Sequence, residues 1–172
     1  MPLWMVAIEW SARLILIGLI GLSVWSVTIM LDKKKLFASL NIDDFVNKLK
    51  EKADNFKNNK VDQAISVELF EQKQFLEKGL PVLGTLGSTT PFIGLLGTIL
   101  GIIVAFGELS QGKADTNAIM FALAEALILT AVGLFVAIPA VIAFNHYSKK
   151  IRNYFDNVNS KMDLYLAQRE DK

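Results

Sequence analysis

The chain has 172 residues, of which 52% are hydrophobic and 20% charged, and its mean hydropathy is +0.38. The net charge is +1, and the apolar residues concentrate in three blocks, a pattern typical of a membrane protein and not of a nucleic-acid-binding protein. With no cysteine and a single histidine, disulfides and thiolate metal sites are excluded, and we expect no metal and no cofactor.

The first apolar block, "LILIGLIGLSVWSVTIML", runs from Leu14 to Leu31. About 20 apolar residues cross a bilayer at a rise of about 1.5 Å each, so we predict residues 14–31 to be the first transmembrane helix. The basic cluster Lys33–Lys35 follows the block instead of preceding it, which disfavours a signal peptide. Because Lys and Arg favour the cytoplasmic side, this cluster predicts that residues 1–13 form a periplasmic N-terminal segment.

Residues 32–80 are polar and charged but keep a helical apolar period, and we predict that they form a cytoplasmic helical region. Asn41, followed by two aspartates, predicts the start of a helix in this region. A turn is predicted at Asn58 and Asn59, and a second helical run begins at Val61. The region is too small for a core of its own, so we expect it to pack against extensions of the membrane helices.

The second block is rich in glycine and is predicted to be the second transmembrane helix, residues 81–107. Glycines recur in it at a spacing of seven, and small residues on one face let helix backbones approach closely in lipid. We therefore assign helix packing to a set of glycines in the second and third blocks: Gly87, Gly94, Gly97, Gly101 and Gly133. Pro91 and Pro139 are predicted to bend or locally loosen their helices.

A short periplasmic loop is predicted over residues 108–117, followed by the third transmembrane helix over residues 118–144. The stretch "GELSQGKA" at the start of the loop is nearly a P-loop. However, Ala114 stands where the magnesium-binding hydroxyl is required, and the stretch follows a membrane helix instead of a strand. A positive flank from Lys149 to Arg152 predicts that residues 145–172 are a cytoplasmic C-terminal helix.

Glu125 is the one ionisable residue in the stretch "ALAEALILTAVGLFVAIPAVIAFN". It lies about seven residues, or roughly 10 Å, inside the third span, and its helix face holds no second charge. An ionised carboxylate facing lipid there would cost several kcal/mol, so we expect Glu125 to face protein or water. It is either a structural glutamate that hydrogen-bonds between helices or a proton or cation site, and intramembrane carboxylates favour the second interpretation.

Thr98 and Thr130 are weaker candidates, because a threonine in a membrane helix usually hydrogen-bonds its own backbone. Thr130 is five positions from Glu125, which is about 140° around an ideal helix, so the two side chains cannot both point at one axis. Either Thr130 reaches the second membrane helix or the winding changes near Pro139.

Two stretches, "PFIGLLGTILGII" (residues 91–103) and "ALAEALILTAVGLFVAIPAVIAFN" (residues 122–145), resemble the ExbB/TolQ family, which is related to the MotA stator proteins. The chain is most similar to ExbB. The resemblance implies a homopentamer around a pore that encloses the single membrane helices of an ExbD- or TolR-like partner. It also implies that Glu125 is the pore glutamate, that Thr98 and Thr130 are pore threonines, and that the proton motive force drives work through a TonB- or TolA-like protein.

The sequence thus predicts an all-α integral membrane protein with three transmembrane helices and long cytoplasmic helical extensions, located in the bacterial inner membrane. Its N-terminus is expected in the periplasm and its C-terminus in the cytoplasm. The leading hypothesis is a proton-channel and motor subunit of a TonB system, not an enzyme and without a nucleic-acid partner. The alternatives are a TolQ-type subunit of a Tol-Pal envelope-integrity system and a structural membrane scaffold without ion conduction. A solute transporter is disfavoured because three spans show no inverted repeat.

Overall fold

The computed structural model describes residues 3–55, 61–112 and 116–170. Over these ranges it contains five α-helices and no strand: α1 (Leu3–Ser39), α2 (Ile42–Asn55), α3 (Val61–Glu77), α4 (Leu80–Ser110) and α5 (Thr116–Glu170). Three of them, α1, α4 and α5, are long and apolar enough to cross a membrane. The predicted all-α class with three membrane spans is confirmed.

Two of the spanning helices are much longer than a bilayer requires. α1 has 37 residues and therefore includes residues on both sides of the predicted span 14–31. α5 has 55 residues, whereas about 20 residues suffice to cross the hydrocarbon core. Both α4 and α5 continue through their internal prolines, Pro91 and Pro139. The predicted turn at Asn58 and Asn59 and part of the predicted loop 108–117 lie outside the described residues.

The chain divides into two compact units. The first contains the described residues of Met1–Met30 and Val82–Phe144, which are the apolar parts of α1, α4 and α5. Leu83, Leu86 and Ala140 are buried at its centre, and Leu22 and Ile29 of α1 pack against them.

Glycines bring α4 and α5 into close contact in the first unit. A Cβ atom added to Gly94 would lie 2.7 Å from the Leu129 carbonyl oxygen, and one added to Gly133 would lie 2.7 Å from the Thr90 carbonyl oxygen. The close contact extends along the helix pair. An added Cβ would also overlap atoms of α5 at Gly87, Gly97 and Gly101. In lipid, where apolar side chains gain little by leaving their surroundings, such close backbone packing is a main source of helix association.

The second unit contains the described residues of Leu31–Pro81 and Asn145–Lys172. Its helix α2 begins as predicted, because the Asn41 side-chain oxygen accepts a hydrogen bond from the Asp43 amide at 3.0 Å and caps the first turn. The apolar period of α5 is buried here, including Tyr154 and Val158, and the ring of Tyr154 lies 6.1 Å from that of Phe45 on α2. α2 and α5 therefore pack against each other through apolar side chains in this unit.

An ion cluster around the buried Glu68 joins α2 to α3 in the second unit. The Glu68 carboxylate accepts a hydrogen bond from Lys48 Nζ at 2.6 Å and another from Lys52. The Glu68 side chain is only 10% exposed, whereas both lysine side chains are partly exposed. The hydrogen bonds from Lys48 and Lys52 hold the pKa of the Glu68 carboxyl below its ordinary value.

One lysine of the predicted positive flank is not at the surface. Lys33 is 5% exposed, and its Nζ donates a hydrogen bond to the Leu76 carbonyl oxygen at 2.6 Å. Lys34 and Lys35 are exposed. Lys33 therefore helps to hold the end of α3 against α1, which charge counting along the sequence does not reveal.

Candidate functional site

Glu125 lies on the wall of a cavity in the first unit. The cavity has a volume of about 230 Å³ and lies between α1, α4 and α5. In a single chain the Glu125 residue is exposed, although it belongs to the apolar part of α5. The residues that line the cavity are Glu9, Ala12, Arg13, Leu16, Gly101, Val104, Glu108, Ala122, Glu125, Ala126, Ile128 and Leu129.

Close packing of α4 against α5 holds the helix turn that carries Glu125. A Cβ atom added to Gly101 would lie 2.7 Å from the Cβ of Ala126, the residue next to Glu125. One turn away, an added Cβ at Gly97 would lie 2.9 Å from Leu129 Cδ1. The position of the Glu125 backbone relative to α4 therefore depends on the absence of side chains at these glycines.

The two candidate threonines lie at the α4–α5 contact. Thr98 is 5% exposed, and its hydroxyl donates to the Leu95 carbonyl oxygen of its own helix at 2.7 Å. The Thr130 Cα lies 3.1 Å from the Cβ position built on Gly94, so this residue faces α4. The Thr130 hydroxyl oxygen is buried and has no hydrogen-bond partner among the described residues.

The structure of one chain does not bring Glu125, Thr98 and Thr130 together at the cavity. Glu125 lines it, but neither threonine is among its lining residues in the described part of the chain. Thr130 points to α4 while Glu125 points to the cavity, as expected for two positions about 140° apart on one helix. An unpaired buried hydroxyl is costly, so Thr130 is a candidate for a contact that a single chain does not supply.

Three charged residues that the sequence analysis did not select share the cavity with Glu125. Glu9 and Arg13 of α1 form an ion pair at 2.7 Å, and Glu108 belongs to the last turns of α4. The signal available in the sequence was the spacing of four between Glu9 and Arg13, which places them on one helix face. The sequence predicts a periplasmic N-terminal segment over residues 1–13, and in the structure α1 is already helical from Leu3.

The cavity does not have the form of a metal centre. Three carboxylates line it, yet within the described ranges no three His, Asp or Glu side chains converge as metal ligands would. The three glutamates can bind and release protons, whereas the arginine stays charged, and both kinds of side chain hold water. This chemistry agrees with the transfer of protons and needs no covalent step.

Comparisons with known proteins assign the chain to a family. The model of the MotA/TolQ/ExbB proton channel family matches residues 38–160. The biopolymer transport protein ExbB of Xanthomonas campestris is 47% identical over 90 residues, which are 52% of this chain and 36% of that protein. The Tol-Pal system protein TolQ of Pseudomonas aeruginosa is 46% identical over 91 residues, which are 52% of this chain and 39% of that protein.

A third relative matches over a longer region. An ExbB-like biopolymer transport protein of Helicobacter pylori is 38% identical over 133 residues, which are 77% of this chain and 75% of that protein. The matched regions of the Xanthomonas and Pseudomonas relatives, by contrast, cover less than half of those proteins. The family match includes all of α4 and most of α5, the helices that carry Glu125, Thr98 and the packing glycines. The chain therefore belongs to the MotA/TolQ/ExbB proton channel family and is a multi-pass protein of the bacterial inner membrane.

Proposed function

We propose that the chain is the proton-carrying motor subunit of an inner-membrane complex that couples the proton motive force to work at the outer membrane. The observation that carries this proposal is the position of Glu125, a carboxyl on an apolar span of a proton channel family member and on the wall of a charged cavity. An ionisable group inside a span is costly and marks a proton or ion pathway. Thr98 and Thr130 belong to the same proposed pathway.

The exposure of Glu125 supports assembly into a larger complex. In one chain this carboxyl is exposed on a helix whose neighbouring large side chains, such as Leu127 and Ile128, are also exposed. Facing lipid, the ionised form would cost several kcal/mol, so another protein surface or water has to cover it. We propose a homopentamer in which Glu125 faces a central pore and a single-span ExbD- or TolR-like protein occupies that pore.

The proposed client is a TonB-like protein, so that the complex energises TonB-dependent transport. A TolQ-type role in a Tol-Pal system is the second candidate, since one relative at 46% identity is a Tol-Pal system protein TolQ. The two roles are separated by deleting the gene and measuring two phenotypes. Loss of energised uptake with an intact envelope supports the first role, and sensitivity to detergents with normal uptake supports the second.

The proposed orientation has the N-terminus in the periplasm and the C-terminus in the cytoplasm. Three exposed serines allow a near-isosteric test in a chain without cysteine: Ser66 on α3, Ser110 at the end of α4 and Ser160 on α5. Ser110→Cys should react with an impermeant thiol reagent added outside spheroplasts. Ser66→Cys and Ser160→Cys should react only after permeabilisation, and the reverse pattern would refute the orientation.

The function is tested by replacing Glu125 in cells. Glu125→Gln keeps the volume and most hydrogen bonding but cannot ionise, so it should assemble normally and abolish work driven by the proton motive force. Glu125→Asp shortens the reach by one methylene and should retain partial function. Glu51→Gln on α2 removes an exposed carboxyl away from the cavity and is the control, with wild-type activity at equal protein level. Full activity of Glu125→Gln would support a structural scaffold instead.

A further inference from the structure

The cavity beside Glu125 has the composition of a hydrated space. Its charged lining comes from three helices: Glu9 and Arg13 of α1, Glu108 of α4 and Glu125 of α5. Purely apolar cavities stay dry, whereas a cavity with polar partners and room for several water molecules fills with water. At about 230 Å³ this cavity has that room.

The charges of the cavity are only partly compensated. Arg13 pairs with Glu9 at 2.7 Å, one helical turn apart on α1. Neither Glu108 nor Glu125 forms an ion pair with any described residue, so within one chain these two carboxyl groups are left to water. A carboxylate without a partner in an apolar wall is unfavourable, which favours water in the cavity.

We propose that this cavity is a water-filled side entrance. Through it, protons reach Glu125 from the end of the membrane spans at which α4 ends and α5 begins. The proposal rests on the proposed role of Glu125 and adds a route that does not pass along the axis of a central pore. A proton from water binds the Glu108 carboxylate near the end of α4, leaves it for water in the cavity, and binds the Glu125 carboxylate. The Glu9–Arg13 pair keeps the α1 wall polar and adds no net charge to it.

The route predicts water on one face of α1 and not on the opposite face. Leu16 lines the cavity, whereas Leu14 is 64% exposed on the outer surface of the same helix and is not among the lining residues. Two residues apart correspond to about 200° of rotation and about 3 Å along the axis. Leu14 lies nearer than Leu16 to the N-terminal end of α1. If depth in the membrane alone set the access of water, a cysteine at position 14 would react faster than one at position 16.

The test measures cysteine reactivity in the assembled protein in native membranes, using the absence of natural cysteine. Leu16→Cys and Leu14→Cys are treated with a charged methanethiosulfonate reagent, which reacts with thiolates in water, in vesicles opened by freeze–thaw so that both faces are reached. We expect Leu16→Cys to react at least about tenfold faster than Leu14→Cys. Ala12→Cys, a smaller change on the cavity wall, should react as fast as Leu16→Cys.

Equal rates at Leu16→Cys and Leu14→Cys, or a slower rate at both cavity positions, would overturn the side entrance. A second measurement concerns the relay residue: Glu108→Gln should lower the proton-driven rate several-fold while the reactivity of Leu16→Cys stays unchanged. An unchanged rate in Glu108→Gln would remove Glu108 from the route. If Glu125→Gln is inactive but the cavity positions are unreactive, the side entrance fails and the proposed function stands. If the cavity positions react but Glu125→Gln is fully active, the proposed function fails.

Discussion

Replacing Gly94 by alanine should separate α4 from α5, because the added methyl group has no free space. Its Cβ would lie 2.7 Å from the Leu129 carbonyl oxygen and 3.1 Å from Thr130 Cα, whereas ordinary contacts begin at 3.4 Å. Both atoms belong to the backbone of α5, so no side-chain rotation relieves the overlap. Such overpacking costs about 1–3 kcal/mol, against about 1 kcal/mol gained when alanine replaces glycine in a helix.

Gly18 is the matched control for this substitution. It lies in the apolar part of α1, and an added Cβ there meets nothing within 4 Å. Gly18→Ala should therefore show only the gain in helix propensity, and Gly94→Ala should be less stable than Gly18→Ala by about 1–3 kcal/mol. Gly97→Ala should fall between the two, because its nearest contact is Cδ1 of the flexible Leu129 side chain at 2.9 Å.

The assay is unfolding of the purified protein in mild detergent by titration with sodium dodecyl sulfate, followed by tryptophan fluorescence and circular dichroism. The free energies of unfolding should rank Gly18→Ala above Gly97→Ala, and Gly97→Ala above Gly94→Ala. If Gly94→Ala is as stable as Gly18→Ala, the close approach of α4 and α5 at this position is wrong.

Two further predictions concern the second unit. The folded pKa of Glu68 lies below its unfolded value, so its stabilising contribution is present above the unfolded pKa of about 4.3 and is lost as the pH falls through the folded pKa. Glu68→Gln should therefore flatten the fall in melting temperature between pH 7 and pH 3, whereas Glu71→Gln, at an exposed site, should not. Lys33→Ala removes the packed side-chain stem and the hydrogen-bond donor to the buried Leu76 carbonyl. In the same sodium dodecyl sulfate titration it should lower the free energy of unfolding by about 1–3 kcal/mol more than Lys34→Ala does. Equal losses of stability in the two variants would contradict the buried contact.

The features that repeat along the chain were predictable from the sequence. Apolar blocks of membrane length predict spans because a helix rises by a constant distance per residue. The spacing of seven between Gly87, Gly94 and Gly101 predicts one helix face, and in the structure these glycines lie against α5. Glu125 was identifiable because one carboxyl in an apolar span requires a reason.

The features that depend on which helices are neighbours were not predictable in this way. Whether Glu9 and Arg13 share a cavity with Glu125 depends on how α1 packs beside α4 and α5, and no local pattern encodes that. Lys33 has the same sequence context as Lys34, and only the position of the Leu76 carbonyl distinguishes a buried lysine from an exposed one. The sequence therefore predicts the exposure of one charged side chain less reliably than it predicts the adjacent membrane span.

Proton flux through the purified complex tests directly whether Glu125 carries the proton. The chain, isolated from its native membrane with whatever subunits remain bound, is reconstituted into liposomes that contain a pH-sensitive dye, and a potassium diffusion potential is imposed with valinomycin. We expect a proton flux in the wild type and in Glu51→Gln, and none above empty liposomes in Glu125→Gln at equal protein content. A flux of wild-type size in Glu125→Gln would contradict the claim that this residue carries the proton.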